Sequence, residues 1–237
     1  MFWKRKKKVK NEDFEALTNY YKWLIKESDE VNIGEVQDEI FLSQEFINTF
    51  PRLAELINKA RILNLTINSE SYKLFSWTKR DGARCGWINK FEKKPNNKLR
   101  LIEEHYLLLE GIGGVWETYN QPEPSLSNNQ DFMFIESECQ NGIGGWDEYY
   151  EIVCRQDHIK EIDYSKFICF VKEANGNVTM YNPRNKEVLL FAHDHCFENV
   201  SFLEGQPEYT FHKIDNVRTF VDYVEELAIE WQTEIVK

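Results

Sequence analysis

The residues best suited to chemistry lie in one short stretch, FAHDHCFENV, at positions 191–200. It places His193, Asp194, His195 and Cys196 in four consecutive positions, and these side chains are common ligands of zinc. If the stretch is an extended strand, successive side chains point to opposite faces. Alternation then predicts one face with Phe191, His193, His195 and Phe197, and another with Ala192, Asp194, Cys196 and Glu198.

A zinc site built on His193 and His195 would need at least one further ligand, because Cys196 would point away from them. That ligand would have to come from another histidine or a carboxylate elsewhere in the chain. The two phenylalanines that bracket the pair are equally typical of a half-buried sheet face. We therefore predict that the pair serves packing and hydrogen bonding with no metal, and we keep a zinc-dependent enzyme as an alternative. The histidines that could supply the further ligand are His105, His158 and His212.

No other catalytic pattern stands out in the chain. There is no Gly-x-Ser-x-Gly elbow, and Cys196 beside His195 is the only suggestive thiol–imidazole pair. The two GIGG turns, at 111–114 and 142–145, lack the Lys-Ser/Thr of a phosphate-binding loop. We therefore predict a protein that is not an enzyme and needs no cofactor.

The charge of the chain is strongly acidic but unevenly placed. Six of the 29 Lys and Arg residues lie in the first ten positions, so residues 11–237 carry 23 basic against 40 acidic side chains, a net charge of −17. A body with this charge repels phosphate groups and favours basic partners. We predict a basic protein partner, and neither nucleic acid nor a membrane.

Acids and aromatic residues are interleaved in two segments, 136–163 and 187–208, which carry eight and five acidic residues. Aromatic residues within a charged rim are typical of protein-recognition surfaces. The alternative is an acidic surface that has no binding role and only keeps the protein in solution. The predicted partner-binding residues are Glu136, Glu138, Trp146, Asp147, Glu148, Glu151, Asp194 and Glu198.

The cysteines and the hydropathy predict a cytoplasmic protein. Five cysteines are odd in number and widely spaced without a Cys-x-x-Cys pair, which indicates reduced thiols instead of a disulfide framework. No apolar run approaches the length of a membrane span, and the basic start MFWKRKKKVK is followed by a polar, acidic segment and not by the apolar core of a signal peptide.

The secondary structure predicted from the sequence differs between the first and the second part of the chain. After a basic tail at 1–10, residues 11–97 predict a helical extension with one hairpin. Asn11 caps a first helix, Ser43 begins a second, and Pro51 begins a third whose apolar positions run to Leu63. A hairpin surrounds RDGARC at 80–85, and EKKPNNK at 92–98 is the best linker. Because two of the helices carry apolar stripes, we predict that the extension packs on the rest of the chain.

Residues 98–237 predict a mixed domain. A short helix around His105 ends at Gly111, five short β-like segments follow, and the turn ANGN at 174–177 is a strong hairpin signal. A closing helix begins at Thr219, which forms a capping-box pattern with Asp222. Helices first, an antiparallel meander next and a helix last predict an α+β fold, mainly an antiparallel sheet packed with helices, with the helical N-terminal extension.

Two segments of this second part resemble segments of a known protein family. HYLLLEGIGGVWETYN at 105–120, and the run from KFICFVKE at 166–173 through FAHDH to the helix that ends in AIEW at 228–231, resemble the SUKH superfamily. The resemblance covers residues 98–237. Its marks are a leucine-rich helix running into a Gly-Gly turn, a strand hairpin with a short polar tip, the FAHDH strand and a final helix anchored by aromatic residues.

The resemblance implies an α+β domain that acts by binding other proteins. Bacterial members of the family are similar to cytoplasmic antidotes that neutralise toxins, and fungal members regulate cell-wall synthesis. The resemblance implies no catalytic residues. The leading hypothesis is therefore a cytoplasmic immunity protein that binds a basic toxin domain such as a nuclease. A regulatory scaffold in cell-wall or envelope synthesis is the second hypothesis, and the zinc-dependent enzyme built on His193 and His195 is the third.

Overall fold

The computed structural model describes residues 11–37, 39–93, 99–123, 125–127, 129–194 and 199–236. The basic tail at 1–10, residues 94–98 of the predicted linker, and His195, Cys196, Phe197 and Glu198 lie outside these ranges, together with four single positions. The predictions made for those residues therefore have no structural counterpart here.

Helices and strands alternate irregularly along the described chain. The helices are α1 (Glu12–Tyr20), α2 (Gln44–Thr49), α3 (Pro51–Ile57), α4 (Glu103–Ile112), α5 (Asp147–Gln156) and α6 (Phe220–Glu234), with a 3-10 turn at Glu136–Glu138. The strands are β1 (Val31–Gln37), β2 (Arg61–Ile67), β3 (Glu70–Thr78), β4 (Arg84–Phe91), β5 (Gly114–Tyr119), β6 (Gln130–Met133), β7 (Gln140–Asn141), β8 (Ile168–Glu173), β9 (Val178–Tyr181), β10 (Val188–Phe191), β11 (Val200–Phe202) and β12 (Phe211–Ile214). None of the described helices is long and apolar enough to span a bilayer.

All twelve strands belong to one antiparallel sheet. Its order is β1-β2-β3-β4-β5-β6-β8-β9-β10-β12-β11, and β7 pairs with the first half of β8. The chain is thus a mixed α+β protein, which confirms the predicted class. The strand order follows the sequence almost throughout because short turns favour pairing of neighbours in the chain.

The sheet has two differently covered faces, as alternation along β10 shows. Val188 and Leu190 enter the cluster that α2, α3, α4 and α6 cover, whereas Leu189 and Phe191 enter the cluster that α5 covers. On this second face α1 covers β2 to β5, where Leu17 packs in a third cluster. We call these the first face and the second face of the sheet.

The N-terminal part is not the helical extension that the sequence predicts. Residues before the linker form α1 to α3, but they also form β1 to β4, which continue into β5 as one sheet. Leu63 was expected at the end of the third helix, and that expectation is wrong. The helix ends at Ile57, and Leu63 lies in β2 opposite Leu74, because the alternating run from Arg61 to Ile67 gains a full ladder of strand hydrogen bonds there.

Several local signals are confirmed. Asn11 caps α1, Ser43 caps α2, and Thr219 and Asp222 form the capping box of α6. The RDGARC turn joins β3 to β4, and residues 174–177 join β8 to β9. These signals succeed because caps and tight turns are decided by side chains a few residues apart. The sequence reading did not place β1, β2, β5, β12 or α5.

The N-terminal helices are tied firmly to the rest of the molecule. Asp13 of α1 is buried and accepts hydrogen bonds from Arg61 of β2 and Arg84 of β4. Burial raises the pKa of Asp13, but the hydrogen bonds from the two arginines outweigh it and hold the pKa below its usual value. The backbone N–H groups of Arg52 and Leu53 in α3 donate to Glu225 of α6. The predicted packing of residues 11–93 on the rest of the chain is confirmed.

The sheet is weakest where its two halves meet. β5 and β6 share a single register pair, Val115 and Met133, and we call this junction the seam. On the first face α6 crosses both sides of the seam. Its fully buried Trp231 contacts Trp77 of β3 and Trp87 of β4, with ring centroids 5.6 and 5.3 Å apart. Its other end, at Phe220 and Tyr223, packs against Phe134 beyond β6 and Phe170 of β8.

We expect Trp231→Ala to lower the free energy of unfolding by roughly 3–5 kcal/mol, the usual cost of removing a large buried aromatic side chain. Because α6 spans the seam, amide exchange should accelerate in both β3–β4 and β8–β10. Ile229→Ala, at an exposed position of the same helix, should change stability by less than about 0.5 kcal/mol. Exchange that accelerates on one side of the seam alone would contradict a clamping role for α6.

Two carboxyl groups also sit at the seam, that of Glu117 buried and that of Glu230 partly buried. Glu117 of β5 accepts hydrogen bonds from the Thr118 backbone and from the Gln130 side chain. Glu230 of α6 accepts from Ser125 and from the Leu126 backbone, which fixes the loop before β6. Burial raises the pKa of each group from 4.5 to about 7. Both groups therefore bind protons more tightly in the folded protein than in the unfolded chain.

Such groups stabilise the fold most at low pH, and this contribution is lost as the pH rises from about 4.5 to about 7. We expect the unfolding free energy of the wild type to fall relative to that of Glu230→Gln as the pH rises across this window, and the difference to stay constant above it. Denaturant unfolding at a series of pH values measures the difference. Glu204→Gln, on an exposed loop, serves as the control. A pH-independent difference would show that Glu230 is ionised in the fold throughout the window.

Candidate functional site

The predicted recognition residues gather mainly around α5, which lies on the second face of the sheet. Tyr150 and Cys154, one turn apart, point into the cluster beneath the helix. Asp147, Glu148 and Glu151 are exposed on its outer surface. The two acids in the first turn also stabilise the helix itself, since they lie near the positive end of its dipole. The helix therefore has local reasons to form, and its burial pattern turns the acids to solvent.

Trp146, immediately before α5, is held rigidly. Its ring stacks on the imidazole of His193, with centroids 3.8 Å apart and planes 24° from parallel. Its indole N–H donates to the carbonyl of Gly176 at 2.8 Å. Gly176 has a positive φ of 94°, and a Cβ at this position would lie 3.1 Å from the indole ring. The tight turn between β8 and β9 therefore forms a support on which the tryptophan rests while it stays partly exposed.

The segment after Phe191 does not continue the strand that alternation required. β10 ends at Phe191, and His193 and Asp194 lie in a bend beyond it. His193 remains on the second face, because Tyr149 contacts both Phe191 and His193. Asp194 was expected on the opposite face, but its carboxylate lies 4.0 Å from Nε2 of His193. Alternation fails here because the chain leaves the ladder, and it then has no fixed period.

The bend is secured by Asn177, a fully buried residue of the β8–β9 turn. Its side-chain oxygen accepts from the backbone N–H of His193 at 3.4 Å, and its amide group donates to Glu173. Nδ1 of His193 is buried without a hydrogen-bond partner in the part of the chain that the structure describes. The position of the His193 ring is therefore set by stacking on Trp146 and by the hydrogen bond of the His193 backbone N–H to Asn177.

Among the described residues, one acid of this surface, Glu151, pairs with an arginine or lysine. Asp147 accepts a hydrogen bond from Tyr164 at 2.9 Å, and Glu151 forms an exposed ion pair with Arg155 one turn later. Within the described residues, Glu148 forms no ion pair with a basic side chain. An exposed ion pair such as that of Glu151 contributes little to stability. Trp146, Asp147, Glu148, Glu151 and Asp194 therefore form a cluster of exposed carboxylates beside one partly exposed indole, which we call the α5 surface.

Tyr149 and Tyr209, which were not among the predicted binding residues, extend this surface. Tyr149 donates from its hydroxyl to the carbonyl of Tyr209, and Tyr209 is 40% exposed. Burial and then the neighbouring Tyr209 raise the pKa of Tyr149. Tyr149 lies in the first interleaved segment and Tyr209 directly follows the second, but only the contact between α5 and the loop before β12 brings them together.

Glu136 and Glu138 lie apart from the α5 surface. They belong to the 3-10 turn after β6, whose Ser137 backbone N–H donates to Glu92 at the end of β4. Burial, followed by the charge of Glu92, raises the pKa of Glu136. Glu138 is exposed and lines a groove over the seam. The predicted set of acids is therefore divided between two places on the second face, and Glu198 lies outside the described residues.

The remaining histidines are distributed through the molecule. His105 is fully buried beneath the first face, where Nε2 lies 2.8 Å from the Phe134 carbonyl and burial lowers its pKa to about 4. His212 is buried opposite Leu190 on the same face, away from His193. His158 is exposed after the end of α5. Across the described ranges no three His, Cys, Asp or Glu side chains are grouped as a metal site would require.

Comparison of the chain with protein-family models, with curated proteins and with solved structures finds no significant match.

We expect Gly176→Ala to disturb the α5 surface, because the added methyl group must push against the indole of Trp146. The resonances of the Trp146 indole and of His193 should shift, and the protein should lose more stability than the roughly 1 kcal/mol that a positive φ costs alanine. Gly82→Ala is the matched control, since Gly82 also has positive φ in a hairpin turn but nothing within 4 Å of a Cβ. Equal losses and unshifted Trp146 resonances would refute this supporting role.

Proposed function

We propose that this chain is a protein-binding domain and that its α5 surface receives a basic partner. The observation that carries the proposal is the cluster itself: four exposed carboxylates lie on α5 and on the bend after β10, and Trp146 at the start of the helix is held by stacking on His193 and by a hydrogen bond to Gly176. A fixed aromatic side chain loses little conformational entropy when it is buried by a partner. Tryptophan is also among the residue types that most often dominate binding energy.

The charge of the molecule supports a basic partner. With a net charge of −17 over residues 11–237, the body attracts cationic surfaces at long range and repels nucleic acids and anionic membranes. Complementary charge mainly accelerates encounter and rejects wrong partners, whereas buried aromatic anchors slow dissociation. The α5 surface offers both features within one helix, one turn and one bend.

We infer further that the partner is a basic toxin domain such as a nuclease, and that the chain acts in the cytoplasm as its immunity protein. The resemblance of residues 98–237 to the SUKH superfamily supports this particular role. An acidic antidote also presents the charge that a nuclease recognises in its substrate. In this role the chain acts by occlusion, with no catalytic residue, cofactor or metal of its own.

The test reverses charge on the α5 surface. We expect Glu148→Lys/Glu151→Lys/Asp194→Lys to slow association with the partner roughly tenfold or more and to reduce the salt dependence of its rate. The tagged wild type, expressed in its native cell, should recover one basic protein that this triple variant does not. Stopped-flow or surface-based kinetics with that protein, at low and at physiological ionic strength, then give the association rates.

The control variant reverses the same number of charges on a different part of the protein surface. Glu27→Lys/Glu35→Lys/Glu45→Lys reverses three exposed acids of the N-terminal part, far along the sheet from α5. It should retain the partner with less than a threefold change in rate. If both triple variants lose the partner equally, net charge alone is responsible and the α5 surface is not the site. If neither loses it, the proposal fails.

A further inference from the structure

A groove of about 400 Å³ crosses the second face of the sheet between α1 and α5. It lies over the seam, so its floor and walls come from both halves of the sheet. Tyr72 and Lys90 stand on one side, Trp116 and Phe132 lie in the middle, and Lys172 stands on the other side. Asp131 and Glu138 complete the rim, together with Ile135 and Gln140.

The groove exists because the sheet is irregular at the seam. β5 carries a bulge where Ile88 and Asn89 pair with Glu117 and Val115, which leaves Trp116 as the extra residue. β6 carries another between Gln130 and Phe132, which leaves Asp131 as the extra residue. Bulges redirect side chains and are frequent beside functional sites. Here each of the two extra residues lines the groove.

The middle of the groove is aromatic. The rings of Tyr72 and Trp116 lie 5.1 Å apart at an angle of 37°, and Trp116 is only partly buried. Phe132 lies beside them on the neighbouring strand and is nearly fully buried. Flat rings at the base of an open cavity provide a stacking surface for another planar group.

The lysines face this aromatic floor from opposite sides. β4 and β8 are separated by β5 and β6, so the Cα atoms of Lys90 and Lys172 are at least about 14 Å apart at the usual strand spacing. Their long side chains can therefore both reach a ligand between them. Lys90 has a distant ionic contact with Glu92 at 3.9 Å, and Lys172 forms no ion pair with any residue that the structure describes.

We propose that this groove binds a small planar aromatic anion, with its ring on Trp116 and Tyr72 and its carboxylate or phosphate group against Lys172, within reach of Lys90. Asp131 and Glu138 on the rim limit the tolerated charge, so a single anionic group fits and a polyanion such as nucleic acid does not. This site is separate from the α5 surface and does not depend on the function proposed for it.

Calorimetric titration of the full chain with 2-naphthoate and with 2-naphthyl phosphate tests the proposal and distinguishes the two anions. We expect saturable binding of at least one of them, and binding at least about tenfold weaker for neutral 2-naphthylmethanol, which lacks the charged hydrogen-bond acceptor. Inorganic phosphate alone should also bind at least about tenfold more weakly, because it lacks the ring.

Substitutions of single lysine residues test whether the ligand lies in the groove. Lys172→Met should weaken binding about tenfold, whereas Lys172→Arg keeps the charge and should retain it within about threefold. Lys213→Met is the control, because Lys213 is an exposed lysine on the same face of the sheet but lies three strands away, on β12. It should bind as the wild type does. The proposal is overturned if neither naphthyl anion saturates, if the neutral alcohol binds as well as the anions, or if Lys213→Met and Lys172→Met weaken binding equally.

Discussion

The burial of one apolar stripe, on α6, is the interaction on which the rest of the molecule depends. Two halves of a twelve-stranded sheet meet at the seam through a single register pair, which is too little to hold them together alone. A helix of 15 residues, about 22 Å long, covers this junction and packs tryptophan against one half and phenylalanine and tyrosine against the other. The residues before and after the linker thereby share one hydrophobic core.

The same junction shapes the opposite face. Two bulges beside the seam leave Trp116 and Asp131 as extra residues that line the groove on the second face. Buried Glu117 and Gln130 are joined across it by a hydrogen bond, and burial raises the pKa of Glu117 to about 7. The second face thus carries two chemically different regions, a groove flanked by lysines and a helix covered with carboxylates.

The local elements that the sequence predicted correctly are those decided over a few residues. Asn11, Ser43 and Thr219 begin helices as capping residues should, and the Asn-Gly turn at 174–177 forms a hairpin. The failures have a common origin. Residues 61–67 were partly assigned to a helix, and β1 and β5 were not placed, because short apolar runs acquire strand structure only from neighbouring strands. α5 was not placed because its stripe of tyrosine, valine and cysteine is brief and its remaining residues are charged.

The sequence by itself determined the class of fold, the acidity of the body and the residue types available for recognition. It also indicated that Trp146, Asp147 and Glu148 would lie together, since they are consecutive in the chain, whereas the helix that brings Glu151 to the same surface was not predicted. Only the tertiary structure decided that His193 stacks on Trp146, that Asp194 joins the same surface, and that Lys90 and Lys172 face one groove. The physical reason is that these contacts join strands far apart in the chain, and bulges and strand ends, which follow no sequence period, set where the side chains point.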